Sequence, residues 1–382
     1  MKDFALAMMV KNEEGHLDKS FRSVSSLIDT IVLLDTGSTD KTIEEAKQWA
    51  TDNGKIIHVR ETIFKNFQDT RNELLDFACE VALEPYLILF DASDELRGDI
   101  TQLDALVKNE EANAGFLMQQ WELPNKSVVQ YYNIRVIKNR GGWYYKGVVH
   151  EYLESSLGSR CVKLEGVTVY QNRSTDGGKS DARLARDYDM LSEASRKDPT
   201  DSRTVFYLAR TCESLKKWHE SLTYYQLRLT MDQTYTEELY WCHLSSANIF
   251  ASLGNELQIL VHCLDSLNYD YRAEPLVMLG KLYISKHQWA KACSFLQPAC
   301  SLEYPAHSIL FIDKTCYSYE RWHLLGIAAF YAGQYNMGRE ACKRAIDAKH
   351  EDIDIKNLQF YDDKIRELTA LASSGPIAVL DK

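Results

Sequence analysis

One stretch of sequence, L-D-T-G-S-T-D at residues 34–40, decides the fold. The residues before it, 30–34, are a continuous apolar run, which is typical of a strand buried on both faces of a sheet. The stretch itself is an acidic turn that contains glycine, and its Asp, Ser and Thr side chains favour the start of a helix. We therefore expect a buried strand at 30–34, a turn, and a helix at 41–53.

The same alternation surrounds this turn on both sides. Apolar runs predict strands at 4–10, 56–59 and 86–90, and helical spacing of apolar residues predicts helices at 14–28 and 69–82. A β-α-β-α-β order indicates a mainly parallel, Rossmann-like α/β sheet with helices on both faces. Ligands of such sheets bind at the carboxyl ends of the strands, where the acidic turns 35–40 and 91–95 both fall.

The second half of the chain has a different pattern, in which strand signals disappear and helical periods dominate. Small residues recur at the positions where a tetratricopeptide repeat needs a close helix crossing. These anchors are Ala209, Ala247, Gly280 and Gly326. The pattern predicts an all-α repeat domain, with an irregular helical bundle as the alternative. The expected limits are 1–175 for the α/β domain, 176–202 for a linker and connecting helix, 203–372 for the helical domain and 373–382 for a flexible tail.

Composition excludes several classes of function. The chain has 382 residues with 44 basic and 55 acidic side chains, a net charge of −11, which argues against binding to a nucleic-acid backbone. No apolar run reaches the roughly 18–20 residues of a transmembrane segment. Nine cysteines lack paired spacing, which is typical of reduced thiols. We expect a cytoplasmic protein without a transmembrane segment or a nucleic-acid partner.

The acidic turns suggest chemistry different from that of glycine-rich nucleotide-binding loops. Neither G-x-G-x-x-G after the first strand nor a P-loop is present in the sequence. Carboxylates at strand ends can accept hydrogen bonds from a base or a ribose, and a carboxylate pair can hold a divalent cation. A solvated acidic helix cap is the alternative. Further on, basic residues that could bind phosphates precede His150-Glu151. They are Arg135, Lys138, Arg140 and Lys146.

Five motifs occur in one order along the chain. They are V-K-N-E-E at 10–14, L-D-T-G-S-T-D at 34–40, R-N-E at 71–73, L-F-D-A-S-D-E-L at 89–96 and K-G-V-V-H-E at 146–151. This set resembles the family 2 glycosyltransferases of the GT-A fold, in the branch that carries a C-terminal tetratricopeptide domain. The most specific of the motifs is L-D-T-G-S-T-D.

The resemblance implies an inverting, metal-dependent transfer of a hexosyl or N-acetylhexosaminyl group. The donor would be a nucleotide diphosphate sugar, with UDP expected, and the acceptor a hydroxyl of a glycan or a protein. The implied cofactor is Mn²⁺ or Mg²⁺. The implied nucleotide-sugar-binding residues are Asn12, Glu14, Asp35, Arg71, Asp91 and Arg135; the implied metal ligands are Asp91, Ser93, Asp94 and His150; and the candidate catalytic bases are Glu151, which we favour, and Glu122.

Two other functions stay open at this point. Ser93 stands where relatives have a third-position Asp, and a serine hydroxyl is a weak metal ligand. This residue favours a catalytically weak or dead domain that serves as a sugar-nucleotide-binding or protein-interaction scaffold. A nucleotidyltransferase would need a glycine-rich basic loop near the N-terminus, which the sequence lacks. The helical repeats would position the acceptor or a partner, and their ends suggest a homodimer.

Overall fold

The computed structural model of the chain describes residues 2–122, 128–173 and 179–373. It separates into two compact units, Met1–Lys217 and Trp218–Lys382. The domain limits at 175 and 203 stay a prediction. The first unit of the structure ends at Lys217, beyond both limits, and therefore groups the helices before Lys217 with the sheet. The expected tail lies outside the described residues, apart from Ser373.

The first unit contains all the strands. They are β1 (Phe4–Val10), β2 (Ile28–Asp35), β3 (Ile56–Glu61), β4 (Tyr86–Phe90), β5 (Asp94–Gly98), β6 (Ala114–Glu122), β7 (Val128–Lys138), β8 (Trp143–Lys146), β9 (Tyr152–Ser155) and β10 (Cys161–Asn172). Its helices are α1 (Leu17–Val24), α2 (Thr42–Asp52), α3 (Phe67–Val81), α4 (Gln102–Lys108), α5 (Lys179–Lys197) and α6 (Ser202–Ser214). The predicted alternation of strands and helices over residues 4–90 is confirmed. Strand β10 ends at Asn172 and helix α5 begins at Lys179, while residues 174–178 lie outside the described part of the chain.

Eight strands form one mixed sheet in the order β3-β2-β1-β4-β7-β6-β10-β5, and β8 pairs with β9 in a small second sheet. The β3-β2-β1-β4 half is parallel, as the sequence predicts. The other half is mixed, because β7 runs antiparallel to both β4 and β6, while β6 and β10 are parallel. The carboxyl ends of β1, β2 and β4 therefore meet at one edge of the sheet.

The sheet is buried on both faces. Along β1, Leu6 and Met8 belong to a core formed with α1, α2 and α4, whereas Ala5 and Ala7 belong to a core formed with α3 and the small sheet. All four side chains are at most 1% exposed. This alternation explains why β1 is continuously apolar in sequence. Helix α1 is shorter than the predicted 14–28, because a turn with Gly15 at φ +77° precedes it.

The second unit is helical throughout its described part. Its helices are α7 (Trp218–Thr230), α8 (Thr236–Ser252), α9 (Glu256–Ser266), α10 (Ala273–Ser285), α11 (Trp289–Ser301), α12 (Arg321–Tyr331), α13 (Tyr335–Ala348) and α14 (Asp352–Ser373), with a π-helical turn at Cys316–Glu320 before α12. Successive helices pack as pairs, which is a helical repeat arrangement resembling tetratricopeptide repeats. None of the helices in the described ranges is long and apolar enough to cross a membrane.

Two of the predicted small anchors sit at close helix crossings. A Cβ on Gly280 would lie 2.5 Å from Cγ of Leu296, and one on Gly326 would lie 2.8 Å from Sγ of Cys342. Real Cβ atoms do not approach heavy atoms this closely, so the crossings α10–α11 and α12–α13 require glycine. Ala247 is also buried, in a core with α9 and α10. Ala209, by contrast, lies on α6 in the first unit.

Candidate active site

The turn after β2 is closed by its own side chains. Asp35 is 4% exposed, and its carboxylate accepts bonds from the backbone N of Ser38 at 3.1 Å and from its Oγ at 2.6 Å. Asn12, at φ +54°, donates its backbone N–H to the Oγ of Ser38 at 3.0 Å and accepts from the N of Thr39 at 2.8 Å. The ends of β1 and β2 are thus joined at the strand edge where ligands of such sheets bind.

Glu14 joins the same turn from the outside. Its Oε2 accepts from the backbone N of Lys41 at 3.3 Å, and its own N–H donates to Oδ2 of Asp40 at 3.2 Å. Both Asn12 and Glu14 are exposed to solvent. The structure therefore brings together at one turn three of the residues that the resemblance assigned to nucleotide binding, with Asp35 buried and the other two exposed.

A second group of charges lies at the end of β4. Nη2 of Arg71, on α3, donates to Oδ1 of Asp91 at 2.7 Å. Nε of the same guanidinium forms an ion pair with Oε1 of Glu151, also at 2.7 Å. The arginine side chain is 10% exposed and that of Glu151 is 17% exposed. Arg71 therefore joins the acidic turn after β4 to the segment that precedes β9.

Arg135, on β7, also belongs to this group of charges. Its Nη1 lies 3.4 Å from Oδ2 of Asp94, and its Nη2 lies 3.7 Å from Oδ2 of Asp91. Nη2 also donates to Oε1 of Gln119 at 2.6 Å, and Gln119 Nε2 is 3.5 Å from Oδ1 of Asp94. The Asp94 side chain is fully buried, and its Oδ2 accepts the backbone N–H of Asp91 at 2.9 Å. The sequence did not predict a role for Gln119, because this residue lies within a strand and belongs to none of the motifs.

The two carboxylates have opposite pKa shifts. Burial alone would raise the pKa of Asp91, but the positive charges of Arg71 and Arg135 outweigh it and hold that pKa well below its usual range. Burial raises the pKa of Asp94 to about 6, and the charge of Asp91 adds to this while Arg135 opposes it. Above that pH both groups are ionised, so the acidic turn carries negative charge that the two guanidinium groups balance.

Helix α3 also holds the segment that leads to Glu151. Asn72 Nδ2 donates to the backbone O of Tyr145 at 3.0 Å, and Tyr145 N donates back to Oδ1 of Asn72 at 2.6 Å. Gln68 Oε1 accepts from the N of Gly147 at 2.8 Å, where the backbone has φ +103°. The R-N-E motif contained Asn72 but gave it no role, and Gln68 had no sequence signal.

His150 has an environment that is rich in arginine. Its ring stacks on Tyr207 of α6 with centroids 4.2 Å apart, at an interplanar angle of 18°. The residue is exposed at the surface, yet desolvation where its ring packs on Tyr207, followed by the charges of Arg210, Arg203 and Arg183, lowers its pKa to about 4. A neutral imidazole is the form that coordinates a metal ion, but the neighbouring guanidinium charges would repel a cation. The metal-ligand role of His150 stays a prediction.

The remaining candidates lie on β6, β10 and the acidic turn. Ser93 Oγ accepts from Nε2 of Gln171 at 2.6 Å, and Arg173 Nε donates to Oε1 of Gln171 at 2.7 Å. Glu122 accepts a 2.7 Å bond from the hydroxyl of Tyr170. Glu122, the other base that the sequence predicts, is therefore bonded to a tyrosine and not to the Arg71 group.

Arg140 does not belong to the phosphate-binding candidates. Its Nη2 donates to the backbone oxygens of Cys79 at 2.7 Å and Ala82 at 2.9 Å. It therefore caps the carboxyl end of α3, where cationic groups are favourable. Of the basic run noted in the sequence, Arg135 is the member that reaches the acidic turn, while Lys138 and Lys146 are exposed.

Comparison with known proteins assigns the first unit to a family. The family model for "Glycosyl transferase family 2" matches residues 6–164, which include both acidic turns and the Arg71 group. Residues 6–164 are a family 2 glycosyltransferase domain. The match ends within β10, before the helices of the second unit.

The other comparisons concern more distant proteins. A TPR repeat-containing protein of Synechococcus elongatus is 28% identical over 169 residues, which cover 41% of this chain and 37% of the relative. This chain therefore matches little more than a third of that relative's length. Among solved structures, S. aureus TarS 1–349 is 12% identical with a TM-score of 0.34, covering 72% of this chain and 90% of that chain. A tetratricopeptide repeat protein from Parabacteroides merdae is 18% identical with a TM-score of 0.36, covering 50% and 72%. At TM-scores this low, neither structural likeness adds to the assignment.

The side chains of the glycosyltransferase domain do not fit the divalent cation that the resemblance implies. Asp91 is already in contact with two guanidinium groups, Asp94 is buried and bonded to the backbone, and Ser93 offers a neutral hydroxyl. A hard cation needs anionic oxygen that is free to coordinate it. The only cluster of three metal-ligating side chains in the described part of the chain is Asp313, Cys316 and Glu320, in the second unit. The expected Mn²⁺ or Mg²⁺ stays a prediction that this donor set does not support.

Proposed function

We propose that this protein transfers a hexosyl or N-acetylhexosaminyl group from a UDP-sugar to a hydroxyl of a glycan or protein acceptor, with inversion at the anomeric carbon. The observation that carries the proposal is the position of Arg71 in a family 2 glycosyltransferase domain, 2.7 Å from both Asp91 and Glu151. In this proposal Arg71 binds the anionic part of the donor and Glu151 is the base, and both lie near the carboxyl end of β4.

The proposed chemistry uses these groups in one displacement. The acceptor hydroxyl attacks the anomeric carbon, the bond from that carbon to the diphosphate oxygen breaks, and negative charge builds on the leaving nucleotide. Guanidinium groups held in a buried site stabilise that charge. Glu151 removes the proton of the acceptor hydroxyl. Glu122 is the alternative base.

The turn after β2 supports the choice of a nucleoside ligand. Asp35 is buried, and its oxygens already accept bonds from the backbone N and the Oγ of Ser38. A carboxylate oxygen has lone pairs for a further donor, and the imide N–H of uracil is such a donor. We propose that Asp35 selects uracil, while Asn12 and Glu14 form the edge of the base pocket.

The helical repeats are proposed to position the acceptor or a protein partner, and a homodimer through them is part of this proposal. Repeat arrays offer extended surfaces that suit this task. The unpatterned cysteines of the sequence support a cytoplasmic site of action.

The proposal is tested by a hydrolysis screen of UDP-, GDP- and ADP-linked sugars, followed by NMR, with Mn²⁺ and with EDTA. We expect hydrolysis of one class of UDP-sugar, with release of the anomer opposite to that of the donor. Calorimetry should show tighter binding of UDP than of GDP or ADP. Equal affinities for the three nucleotides would contradict the role of Asp35, and retention of the anomeric configuration would contradict inversion.

The second candidate is a binding protein with an inactive glycosyltransferase domain. Ser93 favours it, since the third position of the acidic turn holds no carboxylate. Selective UDP binding without hydrolysis or transfer to any acceptor in a glycan and peptide library would support this function instead.

A further inference from the structure

The charges at the end of β4 point to a nucleotide site that works without a metal ion. We propose that Arg71 and Arg135 supply the positive charge for the nucleotide diphosphate, and that its binding needs no divalent cation. The inference rests on the proposed function only in that its ligand is the nucleotide part of the proposed donor.

The first support is the balance of charge around the acidic turn. Asp91 has a guanidinium nitrogen of Arg71 at 2.7 Å and one of Arg135 at 3.7 Å. Asp94 has Arg135 at 3.4 Å, and Glu151 has Arg71 at 2.7 Å. Each carboxylate of the group therefore has a permanent positive charge as its neighbour. The three carboxylates exceed the two guanidinium charges by one, but a divalent cation would meet both guanidinium groups at short range, where repulsion is strong.

The second support is the set of oxygens that a cation could reach. Asp94 is fully buried, and its Oδ2 accepts the backbone N–H of Asp91. Ser93 is exposed but neutral, and its hydroxyl accepts from Gln171. Of the two aspartates of the turn, only Asp91, with 34% of its side chain exposed, faces solvent, and the partly exposed Glu95 is paired with Arg97. One carboxylate that is already paired with arginine is a weak basis for holding a cation.

The third support is the capacity of the two arginines to bind phosphate. A guanidinium has five N–H donors in a planar fork that matches phosphate oxygens. Nε of Arg135 is buried and has no hydrogen-bond partner among the described residues, so the protein leaves this donor of the guanidinium unused. Arg71, whose side chain is 10% exposed, contacts the more exposed carboxylate of Asp91. A diphosphate that enters beside Asp91 can replace that carboxylate as a partner of Arg71.

The experiment uses the full chain and two titrations. Calorimetry with UDP and with GDP is run in EDTA and in excess Mn²⁺, and Mn²⁺ alone is titrated into the protein by electron paramagnetic resonance. We expect nucleotide affinity to differ by less than about twofold between the two conditions, and no Mn²⁺ site that depends on Asp91. Tightening by Mn²⁺ of about tenfold or more, or a Mn²⁺ site lost in Asp91→Asn, would overturn the inference and leave the proposed function intact.

Matched variants separate charge from shape. Ser93→Asp adds a second carboxylate next to Asp91 and should create Mn²⁺ binding, whereas Ser93→Asn, of similar size, should not. Arg71→Lys keeps the charge but loses the fork, and should weaken nucleotide binding about tenfold or more both with and without Mn²⁺. Unchanged affinity in Arg71→Lys would overturn the arginine role. Failure of the wild type to bind any nucleotide would instead refute the proposed function, and this inference with it.

Discussion

Nη2 of Arg71 donates a 2.7 Å hydrogen bond to Asp91, across the edge where helix α3 faces the end of strand β4. The same guanidinium pairs through Nε with Glu151, so one side chain holds two segments that are far apart in sequence. Removing one partner of a buried pair leaves the other charge uncompensated, which is costly. The positions of the acidic turn and of the candidate base are therefore coupled through this arginine.

Glu151→Gln should lower turnover about a hundredfold or more, while UDP affinity changes little. The amide keeps the shape of the carboxylate but cannot take the acceptor proton, and lost general-base catalysis has effects of this size. The measurement is initial rate with the donor and acceptor found in the screen, together with calorimetry. Glu154→Gln, a neighbouring change on β9 at a carboxylate bonded to Tyr144, is the control. Near-normal turnover in Glu151→Gln would move the base assignment to Glu122.

Asp94 should make the folded protein less stable as the pH rises from about 4 to about 6. Its pKa in the folded state is raised to about 6, whereas an unfolded Asp has a pKa of about 3.9. The folded state thus holds a proton that the unfolded state loses first, and this stabilisation is present below pH 4 and lost as the pH passes 6. The full effect is at most about 3 kcal/mol.

The check is the difference in melting temperature between wild type and Asp94→Asn across that range. The asparagine side chain does not titrate, so the difference should shift against the wild type as the pH rises. A difference that stays constant from pH 4 to 6.5 would show that Asp94 is not protonated in the folded state within this range.

His150 should remain neutral down to about pH 4 in the folded protein. Its pKa is lowered to about 4 by desolvation and then by nearby arginines, while an unfolded histidine titrates near 6.5. The unfolded state binds the proton first, so this stabilisation is complete above pH 6.5 and is lost as the pH falls to 4. Imidazole ¹⁵N shifts, assigned with His150→Gln, report the titration directly. His350→Gln, at an exposed histidine, is the control for removal of one imidazole. Titration of His150 near 6.5 would contradict the described environment.

Gly280→Ala should destabilise the chain, although alanine is the better helix former by about 1 kcal/mol. The new Cβ would lie 2.5 Å from Cγ of Leu296, a fully buried side chain, and such overpacking costs about 1–3 kcal/mol. The measurement is the thermal unfolding of the full chain, followed by circular dichroism at the helix band. A double variant with Leu296→Ala removes the clash, so its loss should be smaller than the sum of the two single losses. Additive losses would show that the glycine is not required by this crossing.

The sequence predicted the parallel half of the sheet well, for a local reason. The apolar runs of β1, β2 and β4 are buried on both faces of the sheet. A strand that is apolar on both faces is typical of a parallel sheet covered by helices, so the run itself indicates its environment. The antiparallel insertion of β7 between β4 and β6 was not predicted, because pairing partners are chosen by contacts across many residues. Arg135 lies on this inserted strand, so its position in the site could not follow from pattern alone.

The sequence by itself determined the alternation of strands and helices, the two acidic turns and the glycines at helix crossings, because these depend on residue type and spacing along a short stretch. Only the tertiary structure decided which charges meet. It buried Asp94, paired Asp91 and Glu151 with Arg71, directed Glu122 to Tyr170 and capped α3 with Arg140. Coulomb energy depends on the distance between charges, and the cost of desolvation depends on burial. Neither distance nor burial follows from the spacing of residues along the chain.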